Sequence, residues 1–158
     1  MLEIHKTVAK LYEDNKEYLE IFECLDEFSD TENFCNHYGF DIEDSCNAIL
    51  IKAKKPEEFY AMFCLLGANR LDVNHKAKEA MSAKRVSFAS RDEAELVTKQ
   101  IYGGISPLGL PENIKVFIDK NVIEREKLFI GAGNRVSKFF LSPETLIKLS
   151  NAEVLDLT

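Results

Sequence analysis

Residues 101–119 read IYGGISPLGLPENIKVFID. Four of the seven residues from Gly103 to Gly109 are glycine or proline, and Pro111 follows. Proline removes a backbone donor and glycine is entropically costly in regular structure, so this stretch is neither helix nor central strand. Immediately after it, residues 114–119 (IKVFID) alternate as a strand does. Before it, Ser90-Arg91-Asp92-Glu93 forms a capping box: the hydroxyl accepts the N3 amide and Glu93 reaches back to the cap. That box opens a helix running to about Thr98. The glycine-proline loop therefore lies mid-chain between regular elements and is not a linker.

Towards the C-terminus, KLFIG (127–131) and SKFFL (137–141) predict a hairpin across the Ala132-Gly133-Asn134-Arg135 turn. Ser142 as N-cap and Pro143 at N1 start the last helix. Towards the N-terminus, VSF (86–88) is a short strand-like run, and Asp72 can cap a short helix over 74–82. NAILIK (47–52) is of strand type. FYAMFCLL (59–66) reads as a second buried strand, although its periodicity also fits a helix. Pro56 opens the turn between them, and Gly67-Ala68-Asn69 is another turn. Asp30 caps a short helix from Thr31 to Tyr38, with Gly39 as its C′ residue. Residues 3–23 read as an amphipathic helix with Ile4, Val8 and Leu11 on one stripe and a break near Asp14-Asn15. Strands come in groups rather than alternating strictly with helices. The expected fold is α+β (mixed α/β), with a mixed, partly antiparallel sheet rather than a doubly wound one.

The chain has 158 residues, which suits one domain. At 46% hydrophobic and 30% charged residues it has a globular composition. A chain of this length buries roughly 70% of its unfolded surface and needs no metal or disulfide staple. No run of about 18 apolar residues exists, so no membrane span is expected. The opening MLEIHKTVAKLYED lacks the apolar core of a secretory signal. Cys24, Cys35, Cys46 and Cys64 form no C-x-x-C pair, and there are three histidines, so no zinc site is expected. A reducing, cytoplasmic setting follows as the default.

The net charge of −7 is unevenly spread. Residues 1–46 hold three basic and 13 acidic side chains, whereas residues 52–85 hold eight basic and four acidic ones. Overall charge argues weakly against nucleic acid, and no DNA is expected. A local face of Lys52, Lys54, Lys55, Lys84 and Arg85 could still touch phosphate, or could simply be solvated.

Among chemistry-bearing features the loop from Gly103 to Gly109 stands first. Glycines admit a ligand close to the backbone, and successive exposed amides can bind an oxyanion or phosphate. Neither G-x-x-x-x-G-K-[ST] nor G-x-G-x-x-G is present, so a purely structural turn remains open. Gly131-Ala132-Gly133-Asn134-Arg135 is the second candidate, as a plain hairpin turn or as an anion contact through Arg135. A Cys–His dyad would need Cys35 with His37, or another cysteine with His5 or His75. Residues two apart do not face each other on a helix, and apolar-flanked cysteines behave as buried hydrophobes. Asp119 could serve as a carboxylate base, but a turn role suits it better.

From Asp30 to Leu149 these features resemble, in order and spacing, the YbaK/ProX family of aminoacyl-tRNA editing domains. That family includes free-standing deacylases and the editing domain of bacterial prolyl-tRNA synthetases. NAILI resembles its first core strand and Asn69-Arg70-Leu71-Asp72 its R-L-D turn. Phe88-Ala89-Ser90 with Thr98 resembles the approach to its glycine loop, and GGISPLG matches that loop almost letter for letter. Ile118-Asp119, Gly131-Ala132-Gly133 and Leu141-Ser142-Pro143-Glu144 follow at similar distances.

The resemblance implies one compact domain over 1–158, with a central, largely antiparallel, barrel-like sheet flanked by helices. Residues 30–149 are the family-like region and residues 1–29 an atypical acidic N-terminal helix. It implies a hydrolase that cleaves the ester of a mischarged tRNA in trans, tRNA for proline foremost, without metal or cofactor. The acceptor end of the aminoacyl-tRNA would be the partner, and a synthetase a second one. The implied catalytic positions are Gly103, Gly104 and Asn47. Ile105, Ser106, Pro107, Gly109, Gly131, Gly133, Asn134 and Arg135 would bind substrate. Amides of the loop would hold the oxyanion, worth roughly 3–4 kcal/mol. The nucleophile would be water, oriented by the site or by the terminal ribose hydroxyl.

The chain departs from the family at two places. Asn47 stands where relatives usually carry a lysine, and Asn cannot replace an ammonium's charge. Alternation turns Lys52 to the opposite face. Phe22, Cys24 and Phe28 stand where many relatives carry a tyrosine and a histidine. The alternatives are a catalytically impaired module binding tRNA or a synthetase, and a small-molecule ester or amide hydrolase.

Overall fold

The fold is described from a computed structural model covering residues 2–158. Helix α1 (Lys6–Asp14) is followed by strand β1 (Glu20–Glu23), then helix α2 (Thr31–Tyr38), strand β2 (Cys46–Lys55) and strand β3 (Phe59–Leu66). A wide π-type turn over Val73–Ala77 runs into the short helix α3 (Lys78–Ala80). Strand β4 (Arg85–Phe88), helix α4 (Arg91–Thr98), strand β5 (Lys115–Asp119), strand β6 (Leu128–Gly131) and strand β7 (Ser137–Leu141) follow. Helix α5 (Pro143–Ser150) and strand β8 (Glu153–Leu155) complete the chain.

The strands form two sheets, of order β4-β2-β3-β5-β8 and β1-β7-β6. In the five-stranded sheet the β4-β2 and β2-β3 pairs are antiparallel, while β3-β5 and β5-β8 are parallel. The three-stranded sheet is antiparallel throughout. The sheets abut where Ser45 bridges Phe129, but they do not close into the barrel-like form the resemblance implies.

Both faces of the larger sheet are covered, which explains why residues 60–65 lack alternation. Leu50, Met62, Cys64, Val116 and Ile118 face one core shared with Val8, Leu108, Phe139 and Leu146. Ile51, Ala61, Phe63, Leu65 and Phe117 face a second core under Ala77, Met81 and Leu157. A third, aromatic cluster gathers Phe34, Phe129 and Phe140 under α2.

Local signals place the elements as their residues suggest. Asp30 accepts the Asn33 amide at 3.1 Å, and Gly39 ends α2 at φ 78°. Ser142 accepts the Thr145 amide at 3.1 Å with Pro143 behind it. The N-terminal region differs from the helix expected over 3–23. The helix stops at Asp14, and residues 20–23 form an edge strand paired with β7. Ile21 packs on the main core and Phe22 on the aromatic cluster, so pairing with a distant strand overrides local helical periodicity. The three-residue strand β8 is a further element that the sequence reading lacks.

Helix α4, which leads into the glycine loop, is clamped to β2 and β3. The capping box is complete, with Ser90 Oγ accepting the Glu93 amide at 3.1 Å and Glu93 accepting the Ser90 amide at 3.0 Å. Glu93 also accepts from Lys52 Nζ at 2.6 Å and Tyr60 Oη at 2.9 Å. Lys52, then the Ser90 amide, then Tyr60 hold the Glu93 carboxyl down to about 2 from an ordinary 4.5. A depressed carboxylate stabilises the fold above its unfolded value and loses that contribution as pH falls through its folded value. We therefore expect Glu93→Gln to lower the Tm at pH 7, with the gap narrowing between pH 4.5 and 2. Melting curves across that range check this, and a gap that does not change with pH would contradict it.

Candidate functional site

A cavity of about 340 Å³ opens where the two sheets abut. Its walls are the start of β2 (Ser45 to Ile49), the loop from Tyr102 to Ile105, the end of β6 (Phe129 to Gly131), Lys138 on β7 and Thr31 of α2.

The glycine loop is fastened to the β6–β7 turn by two backbone bonds. Gly133 donates to the Gly104 carbonyl at 2.7 Å, and Ile101 donates to the Gly133 carbonyl at 2.9 Å. The approach leaves no room for side chains. A Cβ on Gly104 would run into the Asn134 backbone, and one on Gly131 would meet the Ile105 and Gly104 carbonyl oxygens at 2.5 and 2.6 Å. Gly103 sits at φ 92°, with the Arg135 guanidinium laid against it.

The fastening decides which amides are free. Gly104 donates to the Ile101 carbonyl at 3.0 Å, closing a tight turn. Tyr102 donates to Glu95 at 2.8 Å, and Ser106 donates to Gln100 Oε1. Among the described residues the Gly103 and Ile105 amides have no acceptor. Gly103 and Ile105, with one residue between them, both line the cavity. Gly104 contributes close packing and a carbonyl anchor instead.

Of the positions that the sequence suggests, Asn47, Gly103, Gly104, Ile105 and Gly131 meet at the cavity. Asn47 stands exposed at its rim, with Ser45 Oγ 3.5 Å from its Oδ1. Ser106 is fully buried and accepts the Leu108 amide at 3.1 Å, a job internal to the loop. Pro107 and Gly109 lie on another face, Gly109 against the Thr7 backbone of α1. Gly133 packs on the His5 ring. Asn134 shapes the turn, accepting from Val136 N at 3.0 Å and Ser137 Oγ at 2.8 Å, and it donates to the Glu3 carbonyl at 3.3 Å. Arg135 bonds Asp26 through Nε at 2.9 Å and through Nη2 at 3.2 Å. That leaves its Nη1 beside Gly103.

Lys52 points away to Glu93, as alternation requires. All four cysteines are buried and unpaired. Burial pushes the Cys24 and Cys35 thiols up, against nucleophilic use. Asp119 is buried far along β5 and accepts the Leu157 amide at 2.9 Å. Thr31, Tyr102 and Lys138 are cavity residues that the sequence reading does not single out. For Lys138 the available signal is one lysine inside the apolar run of SKFFL.

Gly104→Ala should destabilise the fold by about 1–3 kcal/mol, the usual cost of overpacking. Denaturant unfolding measures it, and a neutral result would contradict the close fastening.

The described residues contain no helix long and apolar enough to cross a membrane. The sequence model of the aminoacyl-tRNA editing domain matches residues 26–149. The chain is 27% identical over 92 residues to the candidate Cys-tRNA(Pro)/Cys-tRNA(Cys) deacylase EbsC of Enterococcus faecalis, covering 58% of this chain and 56% of that one. It is 31% identical over 106 residues to a proline–tRNA ligase of Nautilia profundicola, covering 66% of this chain and 18% of the ligase. It thus spans little more than half of the first relative and under a fifth of the second. The fold is shared with the crystal structure of a candidate trans-editing enzyme for prolyl tRNA synthetase, at TM-score 0.82 and 18% identity over 99% of both chains. Because that model matches most of its length, the chain belongs to the aminoacyl-tRNA editing domain family.

Proposed function

We propose that the protein is an aminoacyl-tRNA deacylase acting in trans, a hydrolase of translation fidelity that cleaves the ester of a mischarged tRNA. The tRNA for proline is the first candidate. The observation that carries this reading is the pair of unspent amides, Gly103 and Ile105, on the wall of the cavity. Ester hydrolysis passes through a tetrahedral oxyanion, and preformed amides stabilise that charge at little reorganisation cost.

The cavity walls include Ala48, Ile49, Ile105, Phe129 and Ile130. At about 340 Å³ the space suits a small amino acid with the terminal ribose at the mouth. Water forms the new bond to the carbonyl carbon. The bond from that carbon to the ribose oxygen breaks, and the ribose leaves with a proton as a free hydroxyl. Among the described residues no carboxylate or imidazole lines the cavity, so the neighbouring ribose hydroxyl is the group best placed to orient the water.

The acceptor stem would run towards Lys54, Lys55, Lys84 and Arg85, which are exposed at the far end of β2 and β4. Eight residues of strand place Lys55 roughly 26 Å from Asn47, a distance spanned by several nucleotides. Among the described residues these four form no ion pair. Phosphate contacts there would make tRNA affinity fall with salt. The cytoplasm, where aminoacyl-tRNA is made, is the proposed setting, and a synthetase is the proposed second partner, met by the acidic N-terminal region.

Asn47 favours a second reading, a module of the same fold that binds tRNA or a synthetase without turnover. A panel of mischarged tRNAs, led by alanyl- and cysteinyl-tRNA for proline, separates the two. We expect selective hydrolysis that Gly103→Val abolishes, since a β-branched residue cannot keep the loop at φ 92° beside Arg135, and that Asn47→Ala reduces. Salt-dependent tRNA binding without hydrolysis of any panel member would favour the second reading. Full activity in Gly103→Val would remove the oxyanion role from the loop.

A further inference from the structure

The cavity contains a cation without a counter-charge. Lys138 lies on the middle strand of the three-stranded sheet and is 7% exposed. Lysine is almost never buried unless paired, because an ammonium removed from water is costly. Among the described residues the Lys138 ammonium forms no ion pair and no protein hydrogen bond. It sits 5.0 Å from the centre of the Phe34 ring, whose face offsets part of the desolvation.

The charged groups nearby are otherwise engaged. Asp30 caps α2 through Asn33, and Arg135 holds Asp26. Burial pushes the neighbouring Cys24 and Cys35 thiols up, so they stay neutral. Among the described residues the side-chain polar atoms sealed without a partner are Ser29 Oγ and Asp119 Oδ2, and the lysine ammonium is not among them. Lys138 instead forms part of the cavity wall.

Strand register places the Lys138 stem beside the loop. Lys138 is directly opposite Gly131. Residues opposite one another project to the same face, about 5 Å apart. The missing Gly131 side chain is where the Gly104 and Ile105 carbonyls rest. The lysine stem and the loop therefore stand as neighbours on one face. Asn47, also on the cavity wall, is neutral.

Resting on the deacylase reading, we propose that Lys138 is the anion-binding residue of the site. Its ammonium receives an anionic oxygen from the aminoacyl-adenosine end of the substrate, next to the Gly103 and Ile105 amides. That oxygen is either the carbonyl oxygen as it becomes the oxyanion, or a terminal phosphate oxygen. The substrate's own α-ammonium would be repelled and must lie away from β7.

Lys138→Met tests this, because it keeps the length of the side chain and removes the charge. Three readouts are needed: the Tm, kcat and KM for alanyl-tRNA of proline, and calorimetric Kd for 3′-alanylamino-3′-deoxyadenosine with and without a 5′-phosphate. The amide in these probes replaces the labile ester. A cation kept for ligand binding gives an equal or higher Tm in Lys138→Met together with lost function. An oxyanion partner shows as a kcat loss of about 100-fold or more with KM nearly unchanged. A phosphate partner shows as at least tenfold weaker binding of the phosphorylated probe alone. Unchanged kcat, KM and both Kd values would overturn the proposal, as would a lower Tm with those constants intact. Should the wild type hydrolyse no ester, the deacylase reading falls. The probes then still decide the lysine: a tenfold loss for the phosphorylated one supports it, and equal or absent binding in both proteins overturns it.

Discussion

Two hydrogen bonds between main chains organise this molecule: Gly133 N–H to the Gly104 carbonyl, and Ile101 N–H to the Gly133 carbonyl. They tie the glycine loop to the β6–β7 turn on the smaller sheet. The preceding helix is tied to the larger sheet through Glu93, Lys52 and Tyr60. The loop thereby spans the junction of the sheets, and the cavity opens at that junction. The contact tolerates only hydrogen at the α-carbons of Gly104 and Gly131, because backbone atoms of the partner segment occupy the space a Cβ would need. Those glycines are a packing requirement before they are a chemical one. Their consequence is chemical all the same: closing the tight turn consumes the Gly104 amide and leaves those of Gly103 and Ile105 unspent.

The site that results is short of acids and bases. Among the described residues its walls carry backbone of the glycine loop, Asn47, the hydroxyl residues Thr31, Ser45 and Tyr102, the thiol of Cys46, apolar side chains and the buried Lys138, with no carboxylate or imidazole. Such a set suits a reaction whose difficulty is stabilising negative charge on a carbonyl oxygen rather than abstracting a proton from carbon. It also suits a substrate that brings its own hydroxyl group to the water. The family resemblance leads one to look for a cation on β2, where Asn47 stands. The structure instead has Lys138 rising from β7, while Lys52 on β2 is committed to Glu93 on the other side of the sheet.

Much of the fold was legible because its signals are local. Asp30 with Gly39, Ser90 with Glu93 and Ser142 with Pro143 each mark a helix end through bonds made within four residues. The buried strand β3 and the glycine loop are likewise visible as composition. What escaped depends on distant partners. Residues 20–23 carry the periodicity of a helix remnant, and they become a strand because β7 offers an unpaired edge. Ser106, Gly133 and Asn134 look like ligand contacts in a motif, yet they brace the loop and turn from within. Lys138 looks like an ordinary strand lysine. Its burial follows from having strands on both sides and α2 above, none of which is written in its neighbours.

The most direct measurement is a crystal structure of the protein with 3′-alanylamino-3′-deoxyadenosine 5′-phosphate. The account expects the alanyl group inside the cavity, with its carbonyl oxygen about 3 Å from the Gly103 and Ile105 nitrogens. A ligand seated there with its carbonyl turned away from both amides, or bound outside the cavity, would contradict it.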